Sequence, residues 1–268
     1  MLQLRRVGAH VLPKGWVDAL RQVGLFVGAY VLYQIVRGLV NADDAPGRAS
    51  WNATKIINFE RGLHIFVEPQ IQQWALGFHR LMEFASWFYV NGNYAITGGA
   101  LLWIYLRRND SFYCVRNMFM IAMVLALVGY ALYPTAPPRL MPQWGFTDVV
   151  QLYTGVTAEH GAPAAFLNLY AAVPSMHVCF ALMTGATMVR LSSNLLARIA
   201  WALYTPVVVL VVIATGNHYL TDCVLGMATA GLSALLAGQL LARARPDAWS
   251  FGRRTVARIP ELSSSATG

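Results

Sequence analysis

Charged residues are scarce in this chain. Only 12% of its 268 residues are Asp, Glu, Lys or Arg, against about 25% in a typical soluble domain, and the mean hydropathy is +0.47. This composition excludes an ordinary soluble enzyme and predicts an integral membrane protein. Cysteine is scarce too, and the three cysteines stand inside apolar runs, which predicts packing rather than disulfide formation.

The sequence also lacks the patterns that define several kinds of site. No spacing of His, Cys and carboxylates requires zinc or magnesium, so we expect neither a metal nor a cofactor. The first apolar run is too long for a cleavable signal peptide and carries Arg37, so it predicts a retained span. The net charge of +8 comes from basic residues at the ends of apolar runs, which indicates membrane topology and no nucleic-acid partner.

Long apolar runs dominate what is present, and each approaches the roughly 20 residues that cross a bilayer. Residues 41–55 read as a polar turn region. Residues 56–76 combine helical spacing of apolar residues with Glu60, Arg61 and Glu68, which favours an amphipathic helix in the interface. We therefore predict an all-α polytopic membrane protein with six transmembrane helices and one interfacial helix. The predicted spans are residues 17–40, 79–106, 112–133, 174–191, 196–214 and 217–242.

Three regions and an orientation follow. Residues 1–16 form a basic amphipathic segment, residues 17–242 the membrane domain, and residues 243–268 a basic tail. Fourteen of the 20 Lys and Arg residues fall on the side of the termini, so the positive-inside rule places both termini in the cytoplasm. The excess of arginine over lysine is typical of a GC-rich bacterial genome, so we expect a bacterial plasma membrane.

Two polar segments stand at the mouths of apolar runs, residues 171–177 and 215–222. The second holds His218 and Asp222, four residues apart. On a helix, this spacing places both side chains on one face, where a carboxylate fixes the tautomer of an imidazole and raises its basicity. Two histidines at the starts of apolar helices, one with an aspartate partner, suggest phosphoryl chemistry at a membrane surface.

The predicted orientation places His177, His218 and Arg139 together on the outer side. Pro174 suits the first turn of the fourth span, which would make that helix N-terminus an anion cradle with His177 one turn in. Ser175 can cap this helix or bind a phosphoryl oxygen. Arg139 is the one arginine between the third and fourth predicted spans, and guanidinium suits bidentate phosphate binding.

Several alternatives stay open at this point. Thr215 or Asn217 could cap the last span. The polar segment 91–94 either lines the cavity or packs helices together. His218 with Asp222 could be a buried structural pair, and Arg139 could anchor the chain at the headgroups.

These residues resemble the type 2 phosphatidic acid phosphatase superfamily of membrane phosphoesterases, whose motifs read KxxxxxxRP, PSGH and SRxxxxxHxxxD. Residues 174–177, Pro-Ser-Met-His, match the second motif, and residues 218–222, His-Tyr-Leu-Thr-Asp, match the end of the third. The resemblance covers roughly residues 17–242. The chain departs from the motifs at Met176, which replaces glycine, at Val211-Val212, which replace Ser-Arg, and at Leu132, which replaces lysine.

The resemblance implies a role for each candidate residue. His218 would attack phosphorus and form a phosphohistidine, and Asp222 would orient His218. His177 would protonate the leaving alkoxide. Ser175 and Arg139 would bind phosphoryl oxygens, which stabilises the transferring group mainly by electrostatics.

The weakened motifs, with Tyr133 to Pro138 before the site, are similar to the branch that includes inositol phosphorylceramide synthases. We therefore expect an enzyme that cleaves or transfers the phosphoryl group of a lipid phosphoester, to water or to a small alcohol such as inositol. One alternative is a strict phosphatase for lipid phosphates or polyprenyl diphosphates. Another is a non-catalytic lipid-binding or transport protein, although transport does not require the trio His177, His218 and Asp222.

Overall fold

The computed structural model describes residues 12–39, 45–154 and 170–241. Within these ranges the chain is helical and contains no strand, which confirms the all-α prediction there. Most of the predicted N-terminal segment and the predicted tail lie outside the described residues. The α-helices of the described ranges are α1 Gly15–Leu39, α2 Ala45–Gly62, α3 Glu68–Leu76, α4 His79–Trp87, α5 Asn93–Arg107, α6 Asn109–Leu132, α7 Val149–Thr154, α8 Met176–Leu191, α9 Leu195–Ala214 and α10 Leu220–Leu235.

Tighter and wider helical turns connect some of these helices. A π-helical turn, Phe88–Gly92, joins α4 to α5, and a second one, Leu236–Leu241, extends α10. Two 3-10 turns, Pro138–Leu140 and Pro142–Trp144, follow α6. The proline-rich stretch after α6 therefore forms short turns that lie beside the ends of the long helices.

Four helical segments among the described residues are long and apolar enough to cross a membrane, which indicates an integral membrane protein. The other two predicted spans correspond to the segment from His79 to Arg107, which the π turn divides, and to the 16-residue helix α8. The six-span topology therefore stays a prediction. The four segments are Gly15–Val36, Asn109–Leu132, Leu195–Ala214 and Leu220–Gln239.

The predicted amphipathic helix over residues 56–76 is wrong in its bounds. Helix α2 begins at Ala45, inside the predicted turn region, and the chain leaves the helix after Gly62 and enters α3 at Glu68. Glu60 and Glu68 do not face the headgroups as their charge suggested, because both are fully buried. Long-range packing against α10 fixes these two side chains, and a location of α2 and α3 in the interface stays a prediction.

Helix α8 lies among α5, α6, α9 and α10 and contacts all four. Val178, Cys179 and Ala181 on α8 have no exposed surface, and the Phe180 ring lies 5.0 Å from the ring of Phe119 on α6. A helix that is apolar on all sides is typical of the centre of a bundle. The N-terminal end of α8 is thereby fixed relative to these four helices.

Two glycines admit the segment that leads into α8. A Cβ atom on Gly129 of α6 would lie 2.7 Å from Pro174 Cδ, and one on Gly226 of α10 would clash with Ser175 O. Real Cβ atoms do not approach other heavy atoms this closely, so both positions favour glycine. Helices α6 and α10 therefore pack closely against the segment just before α8 from two sides.

We predict that Gly226→Ala lowers the thermal unfolding midpoint in detergent by about 3–10 °C, because overpacking costs about 1–3 kcal/mol. Gly231→Ala on the same helix is the matched control, since its Cβ would meet nothing within 4 Å. Equal midpoints for the two variants would show that α10 does not press on Ser175.

Candidate active site

The start of α8 differs from the prediction by a few residues. The helix begins at Met176 with Ser175 as its N-cap, and Ser175 Oγ accepts a hydrogen bond from Val178 N at 3.4 Å. Pro174 therefore precedes the cap and does not lie in the first turn. His177 is the second residue of the helix, not one turn inside it. The capping role of Ser175 is observed, whereas its contact with a phosphoryl oxygen stays a prediction.

His218 stands in a turn before α10 and not on the helix, so the predicted helical face is wrong. The turn closes α9, because the amides of Asn217 and His218 bind Val212 O at 2.9 Å and 3.3 Å. Gly216 has φ +65°, a left-handed conformation that glycine adopts without strain. Asp222 is the third residue of α10 and lies in its first turn, and His218 Nδ1 is still 3.4 Å from Asp222 Oδ2.

Thr215 and Asn217 do not cap α10, which corrects that prediction. Thr215 Oγ1 donates to Val211 O at 2.7 Å and accepts from Asn217 Nδ2 at 2.9 Å, so both side chains stabilise the end of α9. Carboxylates cap α10 instead. Tyr219 N donates to Asp222 Oδ2 at 3.0 Å, Leu220 N to Glu68 Oε1 at 2.8 Å, and Thr221 N to Glu60 Oε1 at 2.7 Å.

The two imidazole rings face each other across a short gap. The ring centroids of His177 and His218 are 5.9 Å apart, with an interplanar angle of 54°. Both side chains are largely buried, at 8% and 4% exposure. Residues 41 positions apart in the chain thus converge, and the gap is comparable to the size of a phosphoryl group.

The π-helical turn after α4 holds the His177 ring. Asn93 N reaches Phe88 O, five residues back, and the carbonyl of Tyr89 lies 3.2 Å from His177 Nε2. The Tyr89 ring stacks on the imidazole at 4.2 Å, and the Tyr94 ring meets it edge-on at 5.1 Å. π-turns occur frequently at functional sites. The polar segment 91–94 was the sequence signal for this wall of the site.

Asn93 serves packing and site geometry together. Its Nδ2 donates to His177 O at 3.3 Å, and its Oδ1 accepts from Tyr204 OH at 2.5 Å. Asn93 thereby links α5 to α8 and α9. The sequence left cavity lining and helix packing as alternatives for this segment, and Asn93 performs the packing role beside the site.

Arg139 lies against the turn that carries His218. Its backbone N donates to Gly216 O at 2.7 Å, and its Nη1 forms an ion pair with Asp148 Oδ2 at 2.8 Å. The side chain is only 13% exposed, which favours a location at the site over headgroup anchoring. Its Nε is buried and has no hydrogen-bond partner among the residues that the structure describes. Asp148 was missed by sequence reasoning, because no motif contains it.

A family model described as the PAP2 superfamily matches residues 54–236, more than half of the chain. The chain belongs to the PAP2 superfamily. No curated protein and no solved structure matches it. PAP2 members are generally phosphatases, and membership therefore supports an enzyme with phosphatase-type chemistry on lipid phosphoesters. The likeness to inositol phosphorylceramide synthases stays a prediction.

The PAP2 match includes the residues that converge in the structure. His177, His218 and Asp222 lie within it, as do Glu60 and Glu68, whereas all of α1 lies before it. The roles that the sequence suggested for the first three residues stay predictions, since proximity alone assigns no chemical step. Proximity does show that the two motif segments are adjacent in the structure.

We predict that Gly216→Ala reduces turnover of lipid phosphate by about tenfold to a hundredfold, because a small displacement of a catalytic side chain has effects of this size. An alanine here would adopt a strained φ, and its Cβ would lie 2.5 Å from Gln72 Nε2. Gly99→Ala on α5 meets nothing within 4 Å and is the control. Equal turnover by the two variants would mean that this turn does not position His218.

Proposed function

We propose that this PAP2 protein cleaves the phosphoester of a lipid phosphate through a phosphohistidine formed on His218. The strongest support is the convergence of the His177 and His218 rings, whose centroids are 5.9 Å apart, with Asp222 behind the second ring. A phosphorus atom can bond to one ring while the leaving oxygen faces the other. Nothing in a structural role requires two rings to face each other in this way.

The first step uses the nitrogen of His218 that points away from Asp222. Because Nδ1 faces the carboxylate, Nε2 carries the lone pair that attacks phosphorus. The N–P bond forms as the P–O bond to the lipid alcohol breaks. Asp222 accepts the hydrogen bond from Nδ1–H and stabilises the positive charge that develops on the ring.

His177 supplies the proton for the leaving oxygen. A carbonyl only accepts hydrogen bonds, so the contact with Tyr89 O places a hydrogen on His177 Nε2. Nδ1 is then the nitrogen that gives its proton to the alkoxide. In the second half, Nδ1 takes a proton from water, whose oxygen attacks phosphorus as the P–N bond breaks. The stacked Tyr89 ring stabilises the imidazolium form through its π face.

The phosphoryl oxygens would be held at the end of α8. His177 is the second residue of that helix, so the positive end of the helix dipole lies at the site. The corresponding end of α10 is already occupied by three carboxylates. Arg139 adds positive charge beside the His218 turn, and Ser175 orients the α8 end as its cap. This arrangement needs no metal or organic cofactor.

The hydrocarbon part of the substrate would lie in the bilayer beside the spans. Helix α8 runs from His177 to Arg190 near its cytoplasmic end, a rise of about 20 Å at 1.5 Å per residue. The positive-inside rule supports a site at the outer face of a bacterial plasma membrane, with both termini in the cytoplasm. The substrate is then a lipid phosphate whose headgroup reaches the outer leaflet.

Water is the acceptor that superfamily membership favours, and an alcohol such as inositol is the second candidate. A buried polar trio next to an anion-binding helix end argues against a non-catalytic lipid-binding or transport protein. The candidate lipids are monoesters, diesters and polyprenyl diphosphates. A substrate panel with these three classes therefore accompanies each assay.

We predict that His218→Ala lowers phosphate release by at least about 10³-fold and abolishes acid-labile labelling of the protein by ³²P-lipid, because the nucleophile is lost. His79→Ala is the matched control, since His79 is exposed and its ring lies 5.1 Å from the Tyr153 ring, away from the two facing imidazoles. Labelling or release by the His218 variant at the wild-type level would reject the phosphohistidine.

We predict that the labelled wild-type protein discharges ³²P as inorganic phosphate in buffer, because water can reach a phosphohistidine at the outer face. The chase is repeated with excess inositol, and the products are separated by chromatography. Transfer of most of the label to inositol would show that the protein is a phosphotransferase and not a phosphatase. A label that neither acceptor discharges would contradict both.

A further inference from the structure

We propose that Glu60 and Glu68 are positioning residues that share one proton and together hold the N-terminus of α10, and with it His218, for phosphoryl transfer. This inference rests on the proposed function in its catalytic part. Neither residue belongs to the motifs that suggested the site. Both were expected at the headgroup layer, and both are fully buried.

The geometry joins three distant parts of the chain. Glu60 at the end of α2 accepts from Thr221 N, and Glu68 at the start of α3 accepts from Leu220 N. Leu220 and Thr221, which supply these amides, are the second and third residues after His218. The contacts span 161 and 152 residues of sequence, so they fix α2 and α3 to the start of α10. Movement of either glutamate would therefore release the segment that carries the proposed nucleophile.

In each carboxyl group, the oxygen that does not bind α10 needs a hydrogen-bond donor. Oε2 of Glu60 and Oε2 of Glu68 are buried and have no donor elsewhere in the described residues. The two carboxyl groups are neighbours, because they bind the adjacent amides of Leu220 and Thr221. Two carboxylates cannot bond to one another without a proton, and like charges in a buried site do not both ionise readily. One shared proton satisfies both oxygens.

The surroundings of the pair add negative charge and supply no cation. Asp222, Tyr219 and Cys223 on or next to α10 face the two glutamates, and His218 lies on the far side of Asp222. In the described ranges, no lysine or arginine forms an ion pair with either glutamate. Burial and the neighbouring Glu68 raise the pKa of Glu60 to about 8. The dipole of α10 favours negative charge at its N-terminus, but three ionised carboxylates there would repel each other.

The direction of the pH dependence follows from this raised pKa. The pKa of Glu60 is about 8 in the folded state and 4.5 in its ordinary environment. Between these two pH values, Glu60 is therefore protonated in the folded protein and ionised in the unfolded chain. Stability therefore falls as pH rises through that window and changes no further above it. Catalysis needs the shared proton, so kcat falls as pH passes about 8.

The experiment measures kcat against pH and the unfolding midpoint in detergent at pH 5.5, 7 and 8.5. Glu60→Gln and Glu68→Gln each replace the shared proton by a permanent amide hydrogen, and their oxygen still accepts from α10. We expect the alkaline decline of kcat to move up by at least one pH unit in both variants. We expect the wild-type midpoint to fall by several degrees from pH 5.5 to 8.5, and each glutamine variant to show less than half of that fall.

Two controls separate the proposal from general damage. Glu83→Gln changes an exposed glutamate on α4 and should follow the wild type in both measurements. Glu60→Ala cannot bond to Thr221 N or Glu68, so it should lose at least tenfold more kcat at pH 7 than Glu60→Gln.

The outcomes distinguish the two parts of the proposal and the proposed function. A wild-type midpoint that does not fall between pH 5.5 and 8.5 overturns the shared proton, even if every variant fails to fold. If kcat of the glutamine variants declines at the same alkaline pH as kcat of the wild type, the positioning role is overturned. If no lipid phosphate is turned over by the wild type, the proposed function fails, while the midpoints still test the proton.

Discussion

The hydrogen bonds at the N-terminus of α10 are the constraint on which the site depends. Three successive amides there bind three different carboxylates, from Asp222, Glu68 and Glu60. Unsatisfied buried amides are costly, so these bonds determine where the helix begins. Because the helix begins at Leu220, His218 remains in the preceding turn, where its ring can face α8. Asp222 reaches back to the same turn and contacts the His218 ring.

The two helix ends at the site therefore have different electrostatic roles. At α10, side-chain carboxylates neutralise the positive end of the dipole. At α8, the cap is the neutral hydroxyl of Ser175, so the positive end is available to attract a substrate anion. The glycines at 129 and 226 keep these ends close by letting two helices approach the backbone before α8. Packing in the apolar core thus sets the electrostatics of the polar site.

Local patterns predicted the local features of this protein, and distant contacts decided the rest. Apolar runs located the long helices within a few residues, and the polar ends of two of them located His177 and His218. The prediction that His218 and Asp222 share a helical face was wrong, because His218 precedes the helix. The two side chains still meet, since the chain bends before α10 and brings His218 next to the first turn of the helix, where Asp222 lies. Glu60 and Glu68 were misplaced because their partners lie more than 150 residues away. No hydrophobic periodicity encodes such a contact.

The departures from the PAP2 motifs now have structural locations. Val212, where the motif has arginine, is buried in the last turn of α9, and its carbonyl supports the turn that carries His218. Met176, where the motif has glycine, is buried in the apolar core. The site thus has fewer cations than the motifs provide, and Arg139 is already paired with Asp148. With so little positive charge, three ionised carboxylates beside His218 would repel a phosphoryl group. A proton held between Glu60 and Glu68 removes one of those charges, and in this way the burial of two glutamates compensates for the missing basic residues.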